Sequence, residues 1–148
     1  VVLRSLDDGS NWFWQRRLDE ESQDLTTFRT TNGQLWVYNV MPMGAASSPY
    51  EAVAGNMTRF WDFLERDLFT YVDELLRSTE DATAEPGSAP TKEAWYEHRE
   101  LNLRFWQRCA ENNVKLGVGK AKLYRRELKM LGLTLSHGEY RKPDDLIA

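Results

Sequence analysis

The chain has a single cysteine, Cys109, so it cannot close an internal disulfide. The lone thiol agrees with a reducing compartment. No apolar run approaches the ~20 residues a membrane-crossing helix needs. Val1-Val2-Leu3 runs at once into Arg4, unlike a secretory leader. These features lead us to expect an intracellular protein, cytoplasmic or nuclear, with no membrane partner. An initiating methionine is also missing, so the sequence reads as cut from something longer.

Positive charge is in deficit. There are 19 Lys and Arg against 23 Asp and Glu, a net charge of −4. Proteins that live on a phosphate backbone are usually basic overall. The charge is segregated, however. Lys115, Lys120, Lys122, Arg125, Arg126 and Lys129 cluster near the C-terminus, while acids gather in 7–24 and 73–100. Aromatics are plentiful, with six Trp, six Tyr and six Phe, and 148 residues suffice for one domain with a sizeable core.

The pattern predicts a strand over 1–8 ending in Asp7-Asp8, then a turn at Gly9-Ser10-Asn11. Residues 26–30 and 35–40 read as strands joined at Asn32-Gly33, a hairpin signal. Ser48 as N-cap and Pro49 as first residue start a helix over 49–66. Leu68 to Ser78 reads as a tight hairpin. The span 79–92, rich in Ala, Thr, Pro, Gly and Ser, reads as an inserted flexible loop. A second helix covers about 91–112, with His98, Leu101, Phe105 and Cys109 near one face. Leu128 to Leu135 is largely apolar, Ser136 to Glu139 is a turn, and the last ten residues are loosely held. Two helices among mostly antiparallel strands predict an α+β fold of split βαβ type, both helices on one face of the sheet.

Tyr71-Val72-Asp73-Glu74 sits between apolar Leu68-Phe69 and Leu75-Leu76. Two adjacent carboxylates at a hairpin tip repel and resist desolvation, so a divalent cation is a natural companion. An isolated acidic pair is more often a solvated turn. Asn56-Met57-Thr58 is a formal glycosylation sequon, discounted because it falls inside a predicted helix. Gly117, Gly119 and Lys120 do not make a P-loop, because the spacing is wrong and the following Ser or Thr is missing.

In chain order the motifs are Asp8-Gly9-Ser10-Asn11-Trp12-Phe13-Trp14-Gln15, Val40-Met41-Pro42-Met43-Gly44 with Ser47-Ser48-Pro49, Tyr71-Val72-Asp73-Glu74, His98, Lys120, and Met130-Leu131-Gly132. Together they resemble the palm of a reverse transcriptase of the gypsy-type LTR-retrotransposon group. The resemblance covers nearly the whole chain as one palm domain, 1–148, without matching fingers, thumb or RNase H. It implies a polymerase palm with a primer-grip-like hairpin at the C-terminal end. It implies an RNA-directed DNA polymerase that joins a deoxynucleotide to a primer 3′-hydroxyl by two-metal chemistry. The implied partners are an RNA or DNA template-primer and a dNTP, with the missing regions supplied by the same polyprotein or by a second subunit. The implied cofactor is Mg²⁺ or Mn²⁺.

Carried over residue by residue, the metal ligands are Asp8, Asp73 and Glu74. Asp7 is an alternative to Asp8, because Leu3-Arg4-Ser5-Leu6-Asp7 also resembles the strand that precedes the family aspartate. Lys120 is a proton donor or pyrophosphate contact. Phe13, Met43 and Gly44 are nucleotide-binding, with Phe13 as the ring under the sugar. Met130, Leu131 and Gly132 hold the primer end. Glu74 stands where the family has a second Asp. That departure leaves an alternative open: a degenerate or domesticated module with an interaction or structural role and no polymerase activity.

Overall fold

The computed structural model describes residues 1–64, 66–136 and 139–141. Its centre is β1, Val2–Asp8, buried on both faces for most of its length. That double burial explains why the strand reads as apolar interrupted by paired polar groups rather than as a clean alternation. β1 lies inside a sheet of order β4-β5-β1-β6, with β4 at Leu68–Tyr71, β5 at Glu74–Glu80 and β6 at Lys122–Arg125. The β1–β5 register sets Leu6 opposite Leu76, Asp7 opposite Leu75 and Asp8 opposite Glu74. Because side chains alternate along a strand, Ser5 and Asp7 leave one face while Leu6 and Asp8 leave the other.

The first face carries both long helices, as expected. α2 (Ser48–Leu64) contributes Ala52, Phe60 and Phe63 to the core, and α3 (Lys92–Glu111) contributes Leu101, Phe105 and Cys109. Leu68 and Leu75 of the sheet lie beneath them. The Phe60 and Phe105 rings stack with centroids 5.3 Å apart. This buried apolar surface is the main driving force holding the two layers together.

Polar groups on the same face are paired. Arg77, fully buried, donates to the Asp7 carboxylate and to Asn102 Oδ1 (2.7 Å), and its guanidinium lies 4.0 Å from the Phe105 ring centre. His98 sits between the Ser5 and Thr79 hydroxyls at 2.8 and 2.9 Å. The helix histidine therefore ties α3 to β1 and β5.

The second face is covered by a hairpin, β7 (Glu127–Met130) and β8 (Leu133–Ser136). It lays Leu128, Met130 and Leu135 on Leu6 and Leu76. Leu131 and Gly132 turn the chain with φ of 51° and 73°. Left-handed conformation at both central positions is the tight hairpin turn whose twist matches the strands. β9, Glu139–Arg141, extends this small sheet. The turn expected at 136–139 falls partly on His137 and Gly138, outside the described residues, as do 142–148 of the C-terminal stretch.

Several local expectations change. Ser48 is inside α2, and its hydroxyl donates to the Pro42 carbonyl (2.8 Å) rather than capping the helix. The 26–40 hairpin forms only at β2 (Phe28–Arg29) and β3 (Leu35–Trp36). The Thr26 hydroxyl accepts from the Tyr38 amide (2.8 Å), and the chain beyond returns along 16–18, with Met41 N donating to Arg16 O. A one-turn helix, α1 (Glu20–Asp24), was not anticipated; Asp19 caps it by accepting from Ser22 N. The loop expected at 79–92 is narrower, because Thr79 and Glu80 belong to β5 and Lys92 to α3. The Asp81 carboxylate accepts from the amides of Thr83, Ala84 and Thr91 and from both threonine hydroxyls. These bonds hold it well below the usual carboxylate range and stitch the loop to the start of α3.

Candidate active site

Where β1 ends, the chain turns sharply. Gly9 N donates to Asp73 O at 2.8 Å, which ties the strand end to the β4–β5 hairpin tip. A Cβ on Gly9 would stand 1.9 Å from the buried Trp12 ring, so only glycine permits this turn. A short 3₁₀ turn, Trp12–Gln15, follows. The Gln15 amide donates to the carbonyls of Ser10 (2.6 Å) and Lys115 (2.8 Å) and accepts from Lys115 N (2.8 Å). It clamps the 9–15 turn to the segment that leads to Lys120.

At the hairpin tip Val72 adopts φ 52°, a left-handed conformation that β-branched residues avoid at a cost of about 1–3 kcal/mol. It is held there by Asn56 of α2, fully buried, whose Nδ2 donates to Val72 O at 2.8 Å. In the sequence Asn56 stands out only as part of a formal sequon. Its signal was a lone amide on the Ala52, Asn56, Phe60 stripe of an otherwise apolar helix face.

This scaffold sets acids of β1 and of the hairpin tip near one another. Asp8 faces Glu74 across the β1–β5 pair, and Asp73 precedes Glu74 at the tip. Burial raises the Glu74 carboxyl above its ordinary range, and the charges of Asp73 and Asp8 push it further the same way. One Glu74 oxygen, Oε2, is buried without a hydrogen-bond partner among the described residues. A second 3₁₀ turn, Val118–Lys120, swings the Lys120 ammonium to 2.9 Å from Asp8 Oδ2. That bond raises the Lys120 pKa, as does the Asp8 charge.

Asp8, Asp73, Lys120, Phe13 and Met43 line one cavity of about 370 Å³. Phe13 is half-buried and also packs against the helix-side core. Gly44, beside Met43, has φ 93°, a conformation that favours glycine. Met130 is buried and fastens the β7–β8 hairpin, while Leu131 is exposed at its turn. The Leu131 amide acts on Glu74 in the direction opposite to burial, which puts the hairpin tip beside the carboxylates. Asp7, the alternative to Asp8, is in the core with Arg77 and Trp106 and does not reach this cavity.

Among the described residues no three His, Cys, Asp or Glu side chains form a ready-made metal cage. The donor set still suits a hard divalent cation. It offers carboxylate oxygens only, Lys122 offsets the repulsion at Glu74 only in part, and one buried Glu74 oxygen lacks a partner among the described residues. Among the described residues no helix is long and apolar enough to cross a membrane.

The chain is an α+β module of reverse-transcriptase fold. Over 97% of its length the chain superposes on the foamy viral protease-reverse transcriptase in complex with RNA/DNA hybrid, with a TM-score of 0.77 and 22% identity, covering 17% of that chain. The same protein in complex with dsDNA gives 0.76 over 97% of this chain and 27% of that one. In sequence the chain is similar to viral polyproteins. It is 30% identical over 144 residues to the enzymatic polyprotein of Cestrum yellow leaf curling virus, 90% of this chain and 20% of the polyprotein. It is 26% identical over 134 residues to that of Cauliflower mosaic virus, strain D/H, 90% of this chain and 18% of the polyprotein. The chain thus spans about a fifth of the length of these relatives. No family model matches it. The similarity in sequence is to viral enzymatic polyproteins and the likeness in fold is to a foamy viral protease-reverse transcriptase, which is broader than the gypsy-type origin the motifs suggested.

Proposed function

We propose that this chain is the palm of an RNA-directed DNA polymerase, working within a longer polyprotein or beside a second subunit. The observation that carries the reading is Asp8 opposite Glu74, with Asp73 at the same cavity as Phe13, Met43 and Lys120. Asp8 and Asp73 are the metal ligands, with Glu74 as the third carboxylate. Two bound Mg²⁺ or Mn²⁺ ions would activate the primer 3′-hydroxyl and neutralise the departing pyrophosphate. Asp8 and Asp73 orient the reacting centre from two strands tied by the Gly9–Asp73 bond. Phe13 underlies the sugar and excludes a ribose 2′-hydroxyl. Met43 and Gly44 line the nucleotide and template side. Lys120 delivers a proton to pyrophosphate or balances its charge. The Met130-Leu131-Gly132 turn holds the primer end. Template-primer and dNTP are the partners. The gypsy-type LTR origin is the narrower form of this reading and rests on the motifs alone.

A second reading keeps the fold without the chemistry. It is favoured by Glu74 in place of an aspartate and by the Lys120 ammonium on Asp8. An extra methylene shifts a carboxylate by about 1 Å, and such a misplacement can cost about 100-fold in rate. Titration calorimetry with Mn²⁺ separates the two. The polymerase reading expects saturable binding that Asp8→Asn and Asp73→Asn each abolish. Absence of a metal signal in the unaltered chain, together with no primer extension by the parent polypeptide, would leave only the second reading.

A further inference from the structure

A cavity of about 670 Å³ lies apart from the carboxylates, between α2, α1 and the 41–48 loop. Met43 of that loop lines the carboxylate cavity, while Met41 and Pro42 line this one. The volume is that of a small-molecule site.

Three arginines line it, the exposed Arg17 and the half-buried Arg16 and Arg59. Arg16 lies across α2 at Gly55, where a Cβ would fall 1.4 Å from its Nη2. Its Nη2 reaches the Ala52 carbonyl at 3.4 Å, and its Nε is buried with no hydrogen-bond partner among the described residues. Arg59, half-buried on α2, makes no side-chain hydrogen bond or ion pair among the described residues. The two cations repel each other, and burial weakens the charged form of both.

The acids present do not neutralise them. Asp19 is taken up by the Ser22 amide and hydroxyl at 2.8 and 3.0 Å. Glu51 is exposed and offsets the repulsion at Arg16 only in part. Half-buried cations are ordinarily paired, so an anion is the missing component. Planar guanidiniums bind phosphate oxygens in bidentate fashion. The Ser47 hydroxyl, also on the cavity wall, is an additional donor.

We propose that this cavity is a binding site for a phosphate-class oxyanion, held between Arg16 and Arg59 and depending on Gly55. The anion is a free phosphate or a phosphate group of nucleic acid. The site is independent of the carboxylate cavity and does not need the polymerase reading to hold.

The test is calorimetric titration of the full chain with inorganic phosphate at constant ionic strength, set against chloride. The unaltered chain should bind phosphate saturably. Arg59→Gln, which removes no hydrogen bond seen here, should weaken binding about tenfold or more. Gly55→Ala, which displaces Arg16, should do likewise, with circular dichroism verifying the fold. Arg59→Gln should keep the Mn²⁺ response, so that failure here and failure of the metal reading are told apart. Competition by an unphosphorylated oligonucleotide assigns the site to nucleic-acid phosphate, and lack of competition assigns it to free phosphate. Equal phosphate affinity in Arg59→Gln and the unaltered chain, or no preference for phosphate over chloride, overturns the proposal.

Discussion

Asp7 and Asp8 are consecutive in β1, yet their carboxylates serve opposite faces of the sheet. Asp7 is buried against Arg77 and Trp106 under α3, and Asp8 meets Lys120 at the open cavity. The two-residue period of the strand makes one a structural anion and the other an available one.

The two aspartates should therefore fail differently when altered. Asp7→Asn or Arg77→Met leaves a buried charge uncompensated and should cost about 3–5 kcal/mol. The double variant Asp7→Leu/Arg77→Met should recover much of that loss. Asp8→Asn breaks an ion pair whose lysine is 72% exposed, and should cost about 1 kcal/mol or less. Urea denaturation measures all four. Similar losses for Asp7→Asn and Asp8→Asn would contradict the facing described here.

Glu74 is a second point of strain. Its carboxyl is raised by burial and by Asp73 and Asp8. A folded-state pKa above the unfolded value means that Glu74 favours folding below the unfolded pKa, and that this contribution disappears as pH rises through the folded one. Metal-free Glu74→Gln should accordingly be more stable than the parent at pH 7, with the advantage fading in acid. Thermal melts in chelator across pH 4 to 8 would expose a flat or inverted difference if the burial argument is mistaken.

His98 works in the other direction. Burial and the Arg77 charge lower its pKa from 6.5 to about 4. The unfolded chain then binds the extra proton first, so stability is present above pH 6.5 and falls as pH drops toward 4. The slope should approach about 1.4 kcal/mol per pH unit inside that window. His98→Gln should remove this dependence while weakening the Ser5 and Thr79 contacts. Persistence of the same slope in the variant would assign it to other groups.

Gly9 is a packing constraint as much as a hinge. Gly9→Ala drives a methyl into the Trp12 ring. Overpacking of this kind costs about 1–3 kcal/mol, and the Gly9–Asp73 bond should loosen with it. Denaturant midpoints and hydrogen exchange at the Gly9 amide check both effects, and an unshifted midpoint would be unexpected.

Much of the fold was legible in the chain. The four-residue spacing of Leu101, Phe105 and Cys109 and the apolar flanks of Tyr71-Val72-Asp73-Glu74 fix α3 and the central hairpin without outside help, because period and turn chemistry are local. The 26–40 hairpin was overestimated because its outcome depends on a Thr26 hydroxyl taking Tyr38's amide, which no strand pattern reveals. α1 escaped because one helical turn carries too little periodicity. Of the candidate site, the cavity gathers Asp8, Phe13, Met43, Asp73 and Lys120, which the motif order had picked out. Asn56, Gln15 and the Arg16–Arg59 cavity were not legible, since each depends on partners distant in sequence.

The sequence by itself determined which elements form and which acids stand near their ends, because propensity, capping and alternation act within a few residues. Only the tertiary structure decided that Asp8 rather than Asp7 meets the hairpin acids, that Lys120 reaches Asp8 across 112 positions, and that Arg16 and Arg59 share a cavity where Glu51 offsets their repulsion only in part. Those outcomes depend on strand register and on how helices bury their faces, which are properties of the whole chain packed together.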